Sequence, residues 1–313
     1  DRVSFIQKVH RRGFLALGVA WIAAACTKGE PDVRVDLSRR GEPEAQRERP
    51  TLRLAIGTML SPRETAREFR QLADYLEART GHRIDVLQRR SYADTNALLE
   101  QGEADFGFIC TGAFVALGKE AEILAVPVVG GKSTYSLEII VRAGDSARDI
   151  ADLIKDRFAY VDPLSLTGRI YPEWLARTSS GSREAPFGDV VYSQSHTGSI
   201  DLVASGRVRG AGVDSLVRER LSKSEPKRVE PIRVMHRSPE FGIPPFVAGP
   251  RLDAATRGLL RRALLKAHGD ADGRLVLAAL GFDRFAPGDM KAYANIAEMQ
   301  RAVVGTRAGA GQP

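Results

Sequence analysis

Cysteine is almost absent: 313 residues carry only Cys26 and Cys110, so at most one intramolecular disulfide can form. Long apolar runs are missing too. The run from Gly13 to Ala25 has 13 residues, short of the roughly 18 or more that a bilayer-spanning helix needs. No stretch of Lys and Arg with interleaved aromatics occurs. Of the formal charge of +7, Arg2, Lys8, Arg11 and Arg12 against Asp1 place +3 before Cys26 and leave +4 for the rest, too little to argue for a nucleic-acid partner. His82, His196, His236 and His268 show no paired ligand spacing, so neither a metal nor a cofactor is expected.

What is present begins with 43% hydrophobic residues, the content of a globular protein with a core. At the start, HRRGFLALGVAWIAAAC sets two arginines before the apolar run, then small residues, then a cysteine. That order predicts a secretory leader over residues 1–25. Arg11-Arg12-Gly13-Phe14-Leu15 resembles the twin-arginine export motif, and Ala23-Ala24-Ala25-Cys26 resembles a bacterial lipobox in which Cys26 is lipidated. An ordinary cleaved leader with Cys26 incidental is the alternative. Residues 26–50 are polar, charged and punctuated by proline, a flexible linker able to tether the remainder to a membrane. The expected location is therefore the periplasm, with a lipid anchor. With Cys26 lipidated, Cys110 is the one thiol left, and in an oxidising compartment it must be buried or used.

From Leu52 onward, short apolar runs alternate with segments of helical periodicity. LRLAIGT, RIDVLQ and ADFGFIC read as strands; PRETAREFRQLADYLEART, YADTNALLEQG and TGAFVALGKEA read as helices. RFAYVD, DVVYSQS and VRGAGVDS continue the pattern, with helices from about Arg169 to Arg177 and over TGSIDLVASG. Strands alternating with helices imply α/β lobes whose mixed, mainly parallel sheets are flanked by helices. STYSLEIIVRAG and PIRVMHRSPEFGIPPFVAG read as extended connections. The expected division is a first lobe of residues 51–142 plus 232–313, completed by the C-terminal helices, and a second lobe of 143–231. Two crossovers would form a hinge beside a cleft.

In such sheets ligands bind beyond the carboxyl ends of the strands, and four strand-to-helix turns there are rich in donors. In VDPLSLTG, Ser165 or Thr167 can cap the next helix and Gly168 lets the backbone approach a ligand; a helix N-terminus favours anions. Plain N-capping is the other reading. In SQSHTG, His196 could donate to an oxyanion, with a charge sensitive to pH near neutrality, or be a helix-end residue. In GVDS, Asp214 could accept a ligand proton or amine and would reject a fully ionised oxyanion, or simply cap a helix. In CTGAF, Thr111 and the following amides would close from the first lobe, and Cys110 is either a buried small hydrophobe or a soft ligand for a thiophilic species.

LRLAIGTMLSP, ADFGFICTGAFVAL, VDPLSLTGRIYP, SQSHTGSI, GAGVDS and LAALGFDRF together resemble the periplasmic phosphate/phosphite/phosphonate-binding proteins of ABC importers, the PhnD-like family of type II binding proteins. The most specific element is the ordered trio D-P-x-S-x-T-G, S-H and V-D-S. The resemblance implies a two-lobed fold and a ligand gripped by Ser165 and Thr167 with His196 and Asp214 alongside; Gly168 of the same turn, and Ser61, Cys110 and Thr111 of the first lobe, complete the expected ligand-binding set. Leu166 stands where the family turn carries a hydroxyl, and Met59-Leu60 and Phe114 stand where it often places tyrosines. The ligand therefore need not carry an aminoalkyl group. Cys110 sits where an arsenite-sensing branch uses a cysteine, and a neutral, thiophilic arsenic oxyacid would suit a thiol.

The resulting expectation is a monomeric, lipid-anchored binding protein that captures phosphonate, phosphite or phosphate and delivers it to a membrane permease, with no catalysis. The alternative is a sensor of a phosphorus oxyanion or arsenite that docks a membrane histidine kinase. A hydrolase using Ser165, His196 and Asp214 is disfavoured because no G-x-S-x-G elbow surrounds Ser165.

Overall fold

The computed structural model describes residues 49–57, 62–118, 121–182 and 184–304. The leader, Cys26, nearly all of the linker and Ser61 lie outside the described residues.

Helix α1 (Pro62–Thr80) carries Phe69, Leu72, Ala73 and Leu76 at the i, i+3, i+4, i+7 spacing of one face, and all four are buried. That face covers strand β1 (Thr51–Ile56), whose Leu54, Ala55 and Ile56 are fully buried as in an interior strand. Gly81, at φ +73°, ends the helix in the left-handed conformation that glycine takes without strain. Strand β2 (Arg83–Gln88) and strand β3 (Phe106–Phe108) flank β1 in parallel.

The first sheet adds β4 (Glu122–Val128), β10 (Phe246–Ala248) and β11 (Arg284–Ala286), in the order β11-β4-β10-β3-β1-β2. Around it lie α1, α2 (Tyr92–Glu100), α3 (Thr111–Leu117), α8 (Ala254–Lys266) and α9 (Ala271–Leu280). The second sheet comprises β5 (Thr134–Arg142), β6 (Arg157–Tyr160), β7 (Asp189–Tyr192), β8 (Gly210–Asp214) and β9 (Ile232–Gly242), in the order β7-β6-β8-β5-β9. Its helices are α4 (Tyr171–Ser180), α5 (His196–Ala204), α6 (Ser215–Ser224) and the short α7 (Pro226–Val229). Only β10 and β11 in one sheet, and β5 in the other, oppose the common strand direction. The expected mixed, mainly parallel α/β architecture is therefore present.

The lobe boundary differs from the sequence reading. β5 and β9 pair with each other and with β8, so both belong to the second sheet rather than the first. The chain crosses at residues 129–133 and 243–245, not near 142 and 231. Extended apolar segments look alike whichever sheet they join, and only pairing decides. Ile243 N–H donates to the Ser133 carbonyl at 3.2 Å, tying the two crossings together.

Helix α10 (Ile296–Val304) also departs from expectation, because it touches both lobes. Gln300 Nε2 donates to the Gly112 carbonyl of α3, and Arg177 of α4 donates to the Ala302 carbonyl. The lobes are closed upon each other. A continuous buried apolar set runs from Tyr92, Ile109 and Phe114 in one to Tyr160, Leu166 and Ile170 in the other.

Candidate functional site

The turn after β6 is built from its own short-range donors and acceptors. The Asp162 carboxylate accepts from Leu164 N–H at 2.8 Å, and Ser165 Oγ accepts from Gly168 N–H at 3.0 Å. Ile170 N–H reaches the Ser165 carbonyl at 2.9 Å, a widened π-turn over Leu166–Ile170 before α4 begins. Such turns recur at functional sites because they re-aim side chains. A Cβ on Gly168 would lie 2.4 Å from the Val161 Cβ, so glycine is required there for close approach to the strand.

This turn meets the first lobe directly. The second Asp162 oxygen accepts from Tyr92 N–H at 3.0 Å across the cleft. A Cβ on Gly112 would fall 2.1 Å from the Leu164 carbonyl oxygen, so α3 abuts the turn backbone to backbone. Beneath it, Glu173 is 3% exposed and paired with Arg169 at 3.1 Å and with Arg177.

His196 opens α5 and is 1% exposed. Its Nδ1 lies 3.2 Å from Asp214 N–H, a donor, so Nδ1 is the acceptor and the ring proton sits on Nε2. Nε2 faces Thr167 Oγ1 at 3.5 Å. Burial pushes the imidazole down to about 3, so the ring is neutral near neutrality. The expectation of a charge that changes near pH 7 is thereby corrected: the sequence could not convey this desolvation.

Asp214 ends β8 and caps α6 through Leu216 N–H and Val217 N–H. The capping reading of this residue is thus met, and its side chain is 4% exposed. Burial raises its carboxyl to about 7, the two amides working against the shift and the charges of Glu138 and Glu219 adding to it.

From the first lobe, Cys110 precedes α3 and is 2% exposed. Burial lifts its thiol to about 11, opposed by the amides of Leu166, Gly112 and Ala113, so it is a neutral thiol facing the opposite turn. Thr111 is fully buried and donates its hydroxyl proton to the Gly242 carbonyl at 2.8 Å, which leaves its oxygen as an acceptor. The structure thus brings together Cys110, Thr111, Ser165, Thr167, Gly168, His196 and Asp214. Ser61 falls outside the described residues.

Three residues joining this group were not among the expected ones. Asp162 stood in the quoted turn and was legible as a turn carboxylate. Tyr92 and Tyr135 gave no signal, since a tyrosine at a helix start or in a strand is ordinary. Both are 3% exposed; burial raises each phenol, and the Asp214 charge adds to the shift. A cavity of about 520 Å³ lies between α1, α6, the end of α9 and the crossings at Val129 and Ile243, and Asp214 is among its lining residues.

Among the described residues no cluster suited to a metal was found, and no helix is long and apolar enough to cross a membrane. A family model described as ABC transporter, phosphonate, periplasmic substrate-binding protein matches residues 54–293. The chain belongs to this periplasmic phosphonate-binding family. The phosphate-import protein PhnD of Mycolicibacterium smegmatis is 24% identical over 213 residues, 64% of this chain and 64% of that protein. The chain thus spans just under two thirds of that relative's length.

Solved structures agree on the fold. A binding protein component of an ABC phosphonate transporter from Pseudomonas aeruginosa superposes with a TM-score of 0.75 at 20% identity, covering 84% of this chain and 91% of the other. PhnD1 from Prochlorococcus marinus, in complex with methylphosphonate, gives 0.73 at 18% identity over 81% and 98%. The periplasmic phosphonate-binding family is one of substrate-binding transport proteins, not of enzymes. Its fold is the two-lobed periplasmic binding protein fold expected from the sequence.

Proposed function

We propose that this chain captures a small phosphorus oxyanion, a phosphonate, phosphite or phosphate, between its lobes and hands it to the permease of an ABC importer. In this reading it is a monomeric lipoprotein held to the membrane through Cys26. The observation that carries it is the convergence of uncharged donors on one buried spot. The Ser165 and Thr167 hydroxyls and the His196 Nε2–H are gathered there with the Asp214 carboxylate, while the Asp162 carboxylate is held by the Leu164 and Tyr92 amides. Neutral donors in a desolvated site bind an oxyanion strongly because each hydrogen bond is formed away from water. Asp214, raised to about 7, accepts a proton that the ligand still carries and disfavours a fully ionised one.

A second reading has a specific support in Cys110. Its buried thiol faces the same group, and a thiol can condense with an arsenic hydroxyl, forming an As–S bond and releasing water. In that case the protein senses arsenite and signals to a membrane histidine kinase.

A thermal-shift screen of the purified protein separates the two, because a ligand that binds only the folded state raises Tm by mass action. The probes are phosphate, phosphite, methylphosphonate, aminoethylphosphonate, sulfate and arsenite, tested on the wild type and on Cys110→Ser. Stabilisation of both forms by a phosphorus oxyanion is the expected result. Stabilisation by arsenite alone, and only with Cys110 intact, would replace the import reading by the sensing one.

A further inference from the structure

The cavity beside Asp214 draws its walls from both lobes. The first lobe contributes Phe69 of α1, Phe108 at the end of β3 and Phe282 just after α9. The Phe108 ring lies 5.2 Å from that of Phe69 and 6.2 Å from that of Phe282, centroid to centroid. The second lobe contributes Leu216 and Val217 from the first turn of α6. One side is therefore aromatic and the other aliphatic, and the cavity is complete only when the lobes are closed.

The carboxylates that border it are already engaged. Glu68 of α1 is buried and receives both terminal nitrogens of the Arg220 guanidinium, which ties α6 to α1 across the cavity. Glu219 lies 3.7 Å from Arg237. Asp214 is shared between the cavity and the donor group, and its Oδ1 accepts from the first amides of α6. Size points the same way. A volume of about 520 Å³ falls within the roughly 300–1,000 Å³ of pockets that enclose organic ligands. An inorganic oxyanion, the size of a few waters at about 30 Å³ each, fills a minor part of it.

We infer that this cavity takes the organic substituent of a phosphonate whose oxygens sit on Ser165, Thr167 and His196, and that it favours an uncharged alkyl or aryl group over an aminoalkyl one. The inference rests on the oxyanion reading above and narrows it to apolar phosphonates. In that reading Asp214 meets the acid proton of the ligand. An ammonium group among the phenyl rings would then lose its hydration without gaining a carboxylate of its own, whereas an alkyl chain gains in proportion to the area it buries.

Calorimetry on the full chain tests this with phosphate, methylphosphonate, propylphosphonate, butylphosphonate and aminoethylphosphonate. Burying one methylene strengthens binding about fourfold, so butylphosphonate should bind about sixtyfold tighter than methylphosphonate. Propylphosphonate and aminoethylphosphonate match in size and differ only in a terminal methyl or ammonium, so propylphosphonate should be the tighter by about tenfold or more. Ala279→Phe adds a ring to the α9 wall, where Ala279 is half-buried, and should bring the ratio of butyl to methyl affinity close to one.

Butylphosphonate binding no tighter than methylphosphonate would overturn the inference and leave the oxyanion reading standing, since methylphosphonate still binds. Tighter binding of aminoethylphosphonate than of propylphosphonate would also overturn it, and would assign the cavity to an amine. An unchanged ratio in a folded Ala279→Phe would place the alkyl group elsewhere, and the assignment would fall; should that variant not fold, the wild-type series decides alone. If no probe binds, the oxyanion reading fails and this inference fails with it.

Discussion

Asp214 and His196 are joined by one hydrogen bond and titrate in opposite senses. Asp214 is raised from 3.8 to about 7, so the folded state holds its proton more tightly than the unfolded chain. The stability this contributes is present below about pH 4 and is lost as pH rises through about 7. His196 is lowered from 6.5 to about 3. Its contribution is present above about pH 6.5 and is lost as pH falls toward 3. Asp214→Asn, which keeps the helix cap, should therefore gain on wild type as pH rises from 4 to 8. His196→Asn, whose Oδ1 takes the place of the Nδ1 acceptor, should gain most near pH 4 and nothing above 6.5. Each difference should span at most roughly 4 kcal/mol. Melting curves across this range check both, and two variants that track wild type would show that neither group is buried as described. Asp162, also raised by burial, is common to all three proteins and cancels.

The hydroxyl turn is an element with its own foundation. Its cap is Ser165, and its base is Glu173, held between Arg169 and Arg177 where all three side chains are at most 10% exposed. Ser165→Ala should cost about 1 kcal/mol through the lost cap and should weaken oxyanion binding as well. Glu173→Ala should cost more, about 3 kcal/mol, because it strands two buried guanidinium groups. Urea unfolding midpoints give both values. If Glu173→Ala unfolds no earlier than Ser165→Ala, the ion pairs are not what supports the turn. The sequence signalled the cap, since serine and threonine before a helix is a local pattern. It did not signal the base: Arg169, Glu173 and Arg177 at four-residue spacing look like any solvated helical face until burial is known.

For the whole molecule the deciding feature is closure. Gly112 meets the Leu164 carbonyl with no room for a methyl group, and Glu68 of α1 pairs with Arg220 of α6 across the cleft. Gly112→Ala should keep each lobe folded and prevent the last approach between them. Its radius of gyration in the presence of ligand, from small-angle scattering, should stay above that of wild type. Apparent affinity should fall about tenfold or more, in proportion to the fraction still able to close. A variant that closes normally and binds as wild type would show that the contact is not needed.

Much of this protein follows from the chain alone. α1 and β2 begin and end where periodicity, glycine and strand-forming residues place them, because those signals act over a few neighbours. The donor-rich turns were legible for the same reason, as was the family. Tertiary structure alone decided which sheet receives β5 and β9, since strand pairing links residues about a hundred positions apart. It alone made His196 neutral and raised Asp214, because desolvation depends on everything packed around a group. It alone turned Tyr135, one tyrosine in an apolar strand, toward the place where the lobes meet.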